Sequence, residues 1–219
     1  MLFVKEITVR RLLKIHSDIE NIFQFEPGDK GVLNESALET IVQRPSQIIY
    51  GYEIFPDIYS KCACLISEIA RLHAFKNGNK RTALLTARVF MIENGYNLII
   101  PHSAVKYCTI IAEDKKYRIS VEHIVKWIRL LSCSLENTQE YYQKFKEYRT
   151  KPQGMVRSLN NSGSKQLKKI ADMIISDWYS YDKNPEYKGQ FDKASGFVND
   201  ILNRPPPPPP PPPVAPRRY

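Results

Sequence analysis

Between the middle of the chain's two most apolar stretches lies His73-Ala74-Phe75-Lys76-Asn77-Gly78-Asn79-Lys80-Arg81-Thr82. These residue types, at this spacing, can handle a phosphate. A histidine, with an ordinary pKa near 6.5, can take a proton from a hydroxyl. A helix opening after Gly78 presents unpaired backbone N–H groups and the positive end of its dipole, a ready anion site. Lys80 and Arg81 in that first turn oppose the helix dipole. The conflict disappears when an anion sits there, and phosphate is the natural one. Gly78 lets a ligand approach the backbone. Asn79 can either cap the helix or donate to a phosphate oxygen. Phe75, between polar neighbours, is expected to pin the turn into the core. A base beside a phosphate cradle describes phosphoryl or nucleotidyl transfer.

Two buried helices must hold that turn. Ile58, Cys62, Leu65, Ile66, Ile69 and Leu72 follow helical spacing and predict a helix ending at His73. The stretch from Ala83 to Ile92 is apolar nearly all round, which predicts a helix in the middle of a bundle, stopped at Asn94-Gly95. Thr8 is placed to cap a first helix carrying Leu12, Ile15, Ile19, Ile22 and Phe23. Asn34 caps a second, which Pro45 ends. Ser103 and Ser120 are placed to cap two more. Residues 48–55 are rich in β-formers and interrupted by Gly51, so a short hairpin or flap is expected. The expected fold is an all-α bundle with this short β-flap.

The motif HAFKNGNKRTA resembles the signature of the Fic/Doc family, in particular its Doc (death-on-curing) branch. The surroundings agree: Ile7-Thr8 before a helix with His16, then Leu33-Asn34-Glu35-Ser36-Ala37-Leu38, Arg44-Pro45 and Pro56-Asp57. The resemblance covers about residues 6–131. It implies that His73 is the general base. It implies a phosphate-binding turn made of Gly78, Asn79 and Arg81, with Lys80 where Fic enzymes carry a second glycine. His73, Lys80 and Arg81 are then the catalytic group, and Asn77 to Arg81 the nucleotide-binding group. Doc-type members with this lysine are protein kinases of toxin–antitoxin pairs that use ATP and modify elongation factor Tu. The implied cofactors are ATP and Mg²⁺, and the implied partners are that target and an antitoxin. Ile48, Ile49 and Tyr50 of the flap would dock the target chain. Leu84 stands at the second arginine of the full Fic motif, so the full AMP-transferase pattern is absent; protein AMP-transfer within the same fold is the alternative. Asn77 stands where the family has the Asp or Glu that holds Mg²⁺. It brings an amide oxygen and no charge, which makes a non-catalytic binding module the third reading. Ser132 to Asn137 also fits a Fic inhibitory pattern, but its partner arginine is missing, and the match reads as coincidence.

The 219 residues suit one domain of about 1–133 with an extension. Hydrophobic residues make up 42% and charged residues 25%, which excludes a fully disordered chain. The net charge of +9 is spread out and suits acidic partners only weakly. No apolar run approaches the ~18 residues needed to cross a bilayer, so no membrane association is expected. The beginning of the chain lacks a signal-peptide core. Cys62, Cys64, Cys108 and Cys133 sit in apolar settings without metal spacing. Buried, reduced thiols in a cytoplasm are expected. Residues 134–164 read as a helix and a linker, and 165–203 as a pair of amphipathic helices. The tail 205–219 holds nine consecutive prolines, Pro205 to Pro213, expected as polyproline II of roughly 28 Å. It closes on Pro213-x-x-Pro216-x-Arg218, the pattern of an SH3 ligand.

Overall fold

A computed structural model describes residues 4–100, 104–112 and 119–137. The expectations for the cap at Ser103, the helix–linker segment beyond residue 137, the amphipathic pair and the proline tail lie outside these residues.

Six α-helices run through the described part. They are α1 (Val9–Ile22), α2 (Glu35–Gln43), α3 (Ile58–Leu72), α4 (Asn79–Glu93), α5 (Ala104–Ala112) and α6 (Val121–Leu131). The capping residues read from sequence are in place. Thr8, Asn34 and Ser120 accept from the N–H groups of Arg11, Ala37 and His123. Asp57 forms a reciprocal capping box with Ser60 at the start of α3. Helix α4 ends one residue before Asn94-Gly95, and Gly95 takes φ +86°. Among the described residues no helix is long and apolar enough to cross a membrane.

α3 and α4 form the centre, packed on each other, with α5 and α6 against α3 and with α1 against α4. Every residue of α4 from Thr82 to Met91 is buried, as its all-round apolar sequence requires. α3 departs from expectation. Its sequence predicts one apolar face, yet Lys61 to Ala70 are all buried. The polar members find internal partners. Lys61 Nζ donates to the Pro45 carbonyl at 3.2 Å and lies 3.0 Å from a Glu53 carboxylate oxygen. Glu68 faces Arg44 at 3.5 Å, and Ser67 accepts from Arg71 at 2.7 Å. Paired polar groups can enter a core where unpaired ones cannot. All four cysteines are free and buried, as expected.

The flap is a two-residue hairpin, β1 (Ile48–Ile49) paired with β2 (Tyr52–Glu53). Tyr50 and Gly51 turn it with φ of +51° and +82°, the positive pair that two-residue hairpins need. Lys61 anchors it from below. Lys61→Met should therefore loosen the flap without unfolding the bundle, at a cost of about 1–2 kcal/mol. Hydrogen exchange at the Ile54 amide, which donates to Gln47 at 3.1 Å, should accelerate. Unchanged protection there would refute the anchoring role.

A second two-stranded sheet has no counterpart in the sequence expectations: β3 (Tyr96–Leu98) pairs antiparallel with β4 (Ser132–Ser134). Three-residue strands carry too few alternating positions to stand out from a helix terminus. This pairing carries the bundle past residue 133, since Leu135 N–H donates to the Gly95 carbonyl at 3.0 Å.

Candidate active site

The turn between α3 and α4 is built backwards from its buried residues. Phe75 is fully buried and stacked on the His16 ring of α1, with ring centroids 3.7 Å apart. The segment after α1 braces the same turn. Leu33 and Asn34 donate N–H to the Ala74 carbonyl at 2.8 and 3.1 Å, and Lys76 N–H donates to Gly31 at 3.1 Å. His16 is itself held by neighbours. Its Nδ1 is 2.9 Å from the Thr82 hydroxyl of α4, and its Nε2 is 3.1 Å from a Glu20 oxygen. That oxygen also accepts the Gly31 N–H at 2.6 Å. Burial lowers the His16 pKa, and Glu20 opposes the shift. His16, Glu20 and Thr82 thus tie α1, the loop at Gly31 and α4 together behind the turn. From sequence His16 is placed on the first helix with no role of its own. Its spacing of four to Glu20 on one helix face was the available signal.

His73 ends α3 in the left-handed conformation, φ +48° and ψ +48°. A non-glycine residue there costs roughly 1–2 kcal/mol relative to its ordinary backbone. Its side chain is exposed and engages no hydrogen bond or ion pair within the described residues. Strain accepted to present an uncommitted imidazole is a pattern of functional positions.

Gly78 is the cap of α4, at φ +75°. A Cβ there would meet the Phe25 ring at 2.8 Å. Glycine is thus required by conformation and by packing at once. Having no side chain, it leaves the start of α4 without a side-chain cap. No acidic residue stands in that first turn, while Lys80 and Arg81 do. The Arg81 guanidinium lies 4.4 Å from the centre of the Phe23 ring, a cation–π contact that orients it. Burial pushes the Cys108 thiol up to about 12, and the Lys80 charge opposes the rise.

Of the two roles open to it from sequence, Asn79 does not take that of the cap, which falls to Gly78. It is the first residue of α4 rather than its cap. Both side-chain atoms are committed to the backbone of Phe75: Oδ1 accepts its N–H at 3.0 Å and Nδ2 donates to its carbonyl at 2.7 Å. The side chain therefore fixes the turn, using its Oδ1 and one of the two Nδ2 hydrogens. Asn77 is exposed. Its Oδ1 accepts the Gly78 N–H at 2.7 Å, and its Nδ2 donates to a carboxylate oxygen of Asp29 at 3.3 Å. Asp29, 48 residues away in sequence, escaped the sequence reading because no local pattern links it to the motif.

The docking residues named from sequence are on the surface. Ile48 is 62% exposed and Tyr50 97%, with Ile49 and Tyr52 also exposed. The Ser132–Asn137 segment lies at the other end of α4, whose 15 residues span roughly 22 Å. An inhibitory plug at the turn is not its place.

The exposed imidazole that ends α3 and the cationic, acid-free start of α4 are thus joined by one short turn. Residues 6–91 match the model of the Fic/DOC family. The match includes α1, the flap, α3 and the whole turn. Over 71 residues the chain is 38% identical to a protein named Toxin Doc from Mycolicibacterium smegmatis, a stretch making up 32% of this chain and 55% of that protein. The chain thus spans about half the length of the curated relative it matches, and the likeness lies with the Doc branch.

Proposed function

We propose that the protein is a Doc-like toxin that transfers the γ-phosphoryl group of ATP to a serine or threonine hydroxyl of a protein target. One observation carries this reading: the exposed His73 imidazole at the end of α3 stands six residues before the acid-free, doubly cationic start of α4, which has no side-chain cap. In the proposed reaction His73 takes the proton of the target hydroxyl. The hydroxyl oxygen bonds to the γ-phosphorus, and the bond from that phosphorus to the bridging oxygen breaks, releasing ADP. The first-turn N–H groups of α4, with Lys80 and Arg81, meet the charge on the phosphate oxygens. Magnesium takes oxygen ligands, usually one or two carboxylates together with phosphate oxygens. Such donors border this turn: the Asn77 amide oxygen and the Asp29 carboxylate. The ion, when bound, would offset phosphate charge.

The flap supports the choice of a protein substrate. Its strands leave an open edge with apolar side chains beside it, the arrangement that takes up an extended peptide. Elongation factor Tu is the proposed target, and an antitoxin the proposed restraint, both on the likeness to Toxin Doc and its family. Transfer of AMP is the competing outcome, and a double-label experiment separates the two. Incubation of the protein with the target and γ-labelled ATP should label the target. α-Labelled ATP should not. Label from the α position alone would replace phosphotransfer with AMP transfer, and label from neither would remove the enzymatic reading.

A further inference from the structure

We propose that Asp29 is the side chain through which this site takes its divalent cation, and that Asn77 holds Asp29 in place instead of binding the ion. This rests on the nucleotide-binding reading above and adds to it the protein ligand of the metal.

The backbone around Asp29 is fixed. Pro27–Asp29 form a 3-10 turn in which Asp29 N–H donates to Glu26 at 3.0 Å and Lys30 N–H to Pro27 at 3.4 Å. The carboxylate is exposed and stands against Asn77, 3.3 Å from its Nδ2. The Asn77 amide is used at both ends. It accepts from Gly78 N–H at the mouth of α4 and donates to Asp29. A carboxylate at position 77 could accept from Gly78, but it could not donate to Asp29, and the two anions would repel. Amide at 77 and carboxylate at 29 are therefore a matched pair. Together they move the negative charge of the site from the turn to the preceding loop.

An exposed carboxylate beside a phosphate cradle repels a nucleotide unless a cation stands between them. Magnesium is the ion suited to the gap, since it is commonly held by one or two carboxylates with phosphate oxygens and water. Glu20 is committed behind the turn: its side chain is mostly buried, and its Oε1 accepts the Gly31 N–H and faces His16. Among the described residues no group of three or more His, Cys, Asp or Glu is gathered for a metal. A cage of protein ligands is thus not on offer there, whereas one carboxylate completed by a nucleotide is.

The test uses the full chain and reads binding instead of activity. ATP is titrated by calorimetry with Mg²⁺ and again with EDTA, and Mn²⁺ replaces Mg²⁺ for electron paramagnetic resonance of the ternary complex. The wild type should bind ATP more tightly with the metal. Asp29→Asn should lose that gain and the bound-Mn²⁺ signal, bind metal-free ATP at least as well as the wild type, and keep its Tm. Asn77→Leu should weaken the metal gain about tenfold, as loss of a group that orients a ligand does. Adding Asn77→Asp to Asp29→Asn should restore the gain, because a carboxylate then returns to the turn. If Asp29→Asn keeps the full metal gain, Asp29 is not the ligand. If Asn77→Leu abolishes the gain while Asp29→Asn retains it, the ion sits on Asn77 and the proposed reaction stands without this assignment. ATP binding by the wild type with no metal gain overturns the assignment alone. No ATP binding in either buffer overturns the nucleotide reading and this inference with it.

Discussion

Replacing His73 with alanine is expected to lower transfer of the γ-phosphoryl group about 10²–10⁴-fold, the usual contribution of a positioned general base. Growth inhibition on expression should disappear with it. The fold should not suffer, because the imidazole is exposed and holds nothing else together. His73→Gly makes a sharper test. Its backbone sits at φ +48°, where glycine avoids roughly 1–2 kcal/mol of steric cost. Part of that gain is offset by glycine's greater freedom in the unfolded chain. Stability should therefore hold or rise while transfer falls, and thermal unfolding run beside the labelling assay checks both. A protein that acts only by binding would keep its growth inhibition in either variant. Retained labelling by His73→Ala would move the base elsewhere.

The helices were legible because their signals are local. Thr8, Asn34 and Ser120 are caps whose side chains bond three residues ahead, and the apolar residues of α4 fill every side of the helix. The turn between α3 and α4 was legible for the same reason: its residue types fall within ten consecutive positions. What stayed hidden is set by contacts across the sequence. Asp29 meets Asn77 through the return of the loop after α1, and His16 stacks on Phe75 from another helix. Lys61 reads as a solvated cation until Pro45 and Glu53 are brought over it. The role of Asn79 shows a further limit. Sequence supplies the amide and its position at a helix start, but which groups it bonds depends on where the backbone of Phe75 runs. The β3–β4 pairing joins residues more than thirty positions apart through strands of three residues, below the length at which alternation speaks.

Asn79→Leu keeps the size of the side chain and removes its amide, so it tests whether this residue holds the turn or holds the phosphate. Phe75 is fully buried and Asn79 is 9% exposed. Without the amide, the Phe75 N–H and carbonyl both lose their partners in a setting that water does not easily enter. Each orphaned group costs about 1–3 kcal/mol, so a loss of roughly 2–6 kcal/mol is expected for the two. At the scale of about 2–4 °C per kcal/mol for chains of this size, Tm should fall by roughly 4–24 °C. Transfer should fall as well, since the turn that aims the α4 amides has lost its clamp. Arg81→Ala is the contrast. Its loss should remove charge from the phosphate site and lower transfer, while Tm moves much less, because its contact with Phe23 lies at a half-buried edge. Asn79→Asp refines the comparison. The carboxylate can still accept the Phe75 N–H, but it sets a negative oxygen against the Phe75 carbonyl, so it should be destabilising too. A phosphate ligand predicts the opposite order, with Asn79→Leu lowering transfer and leaving Tm where it was. That result would return Asn79 to the nucleotide and leave the conformation of the turn to His16, Phe75 and Gly78.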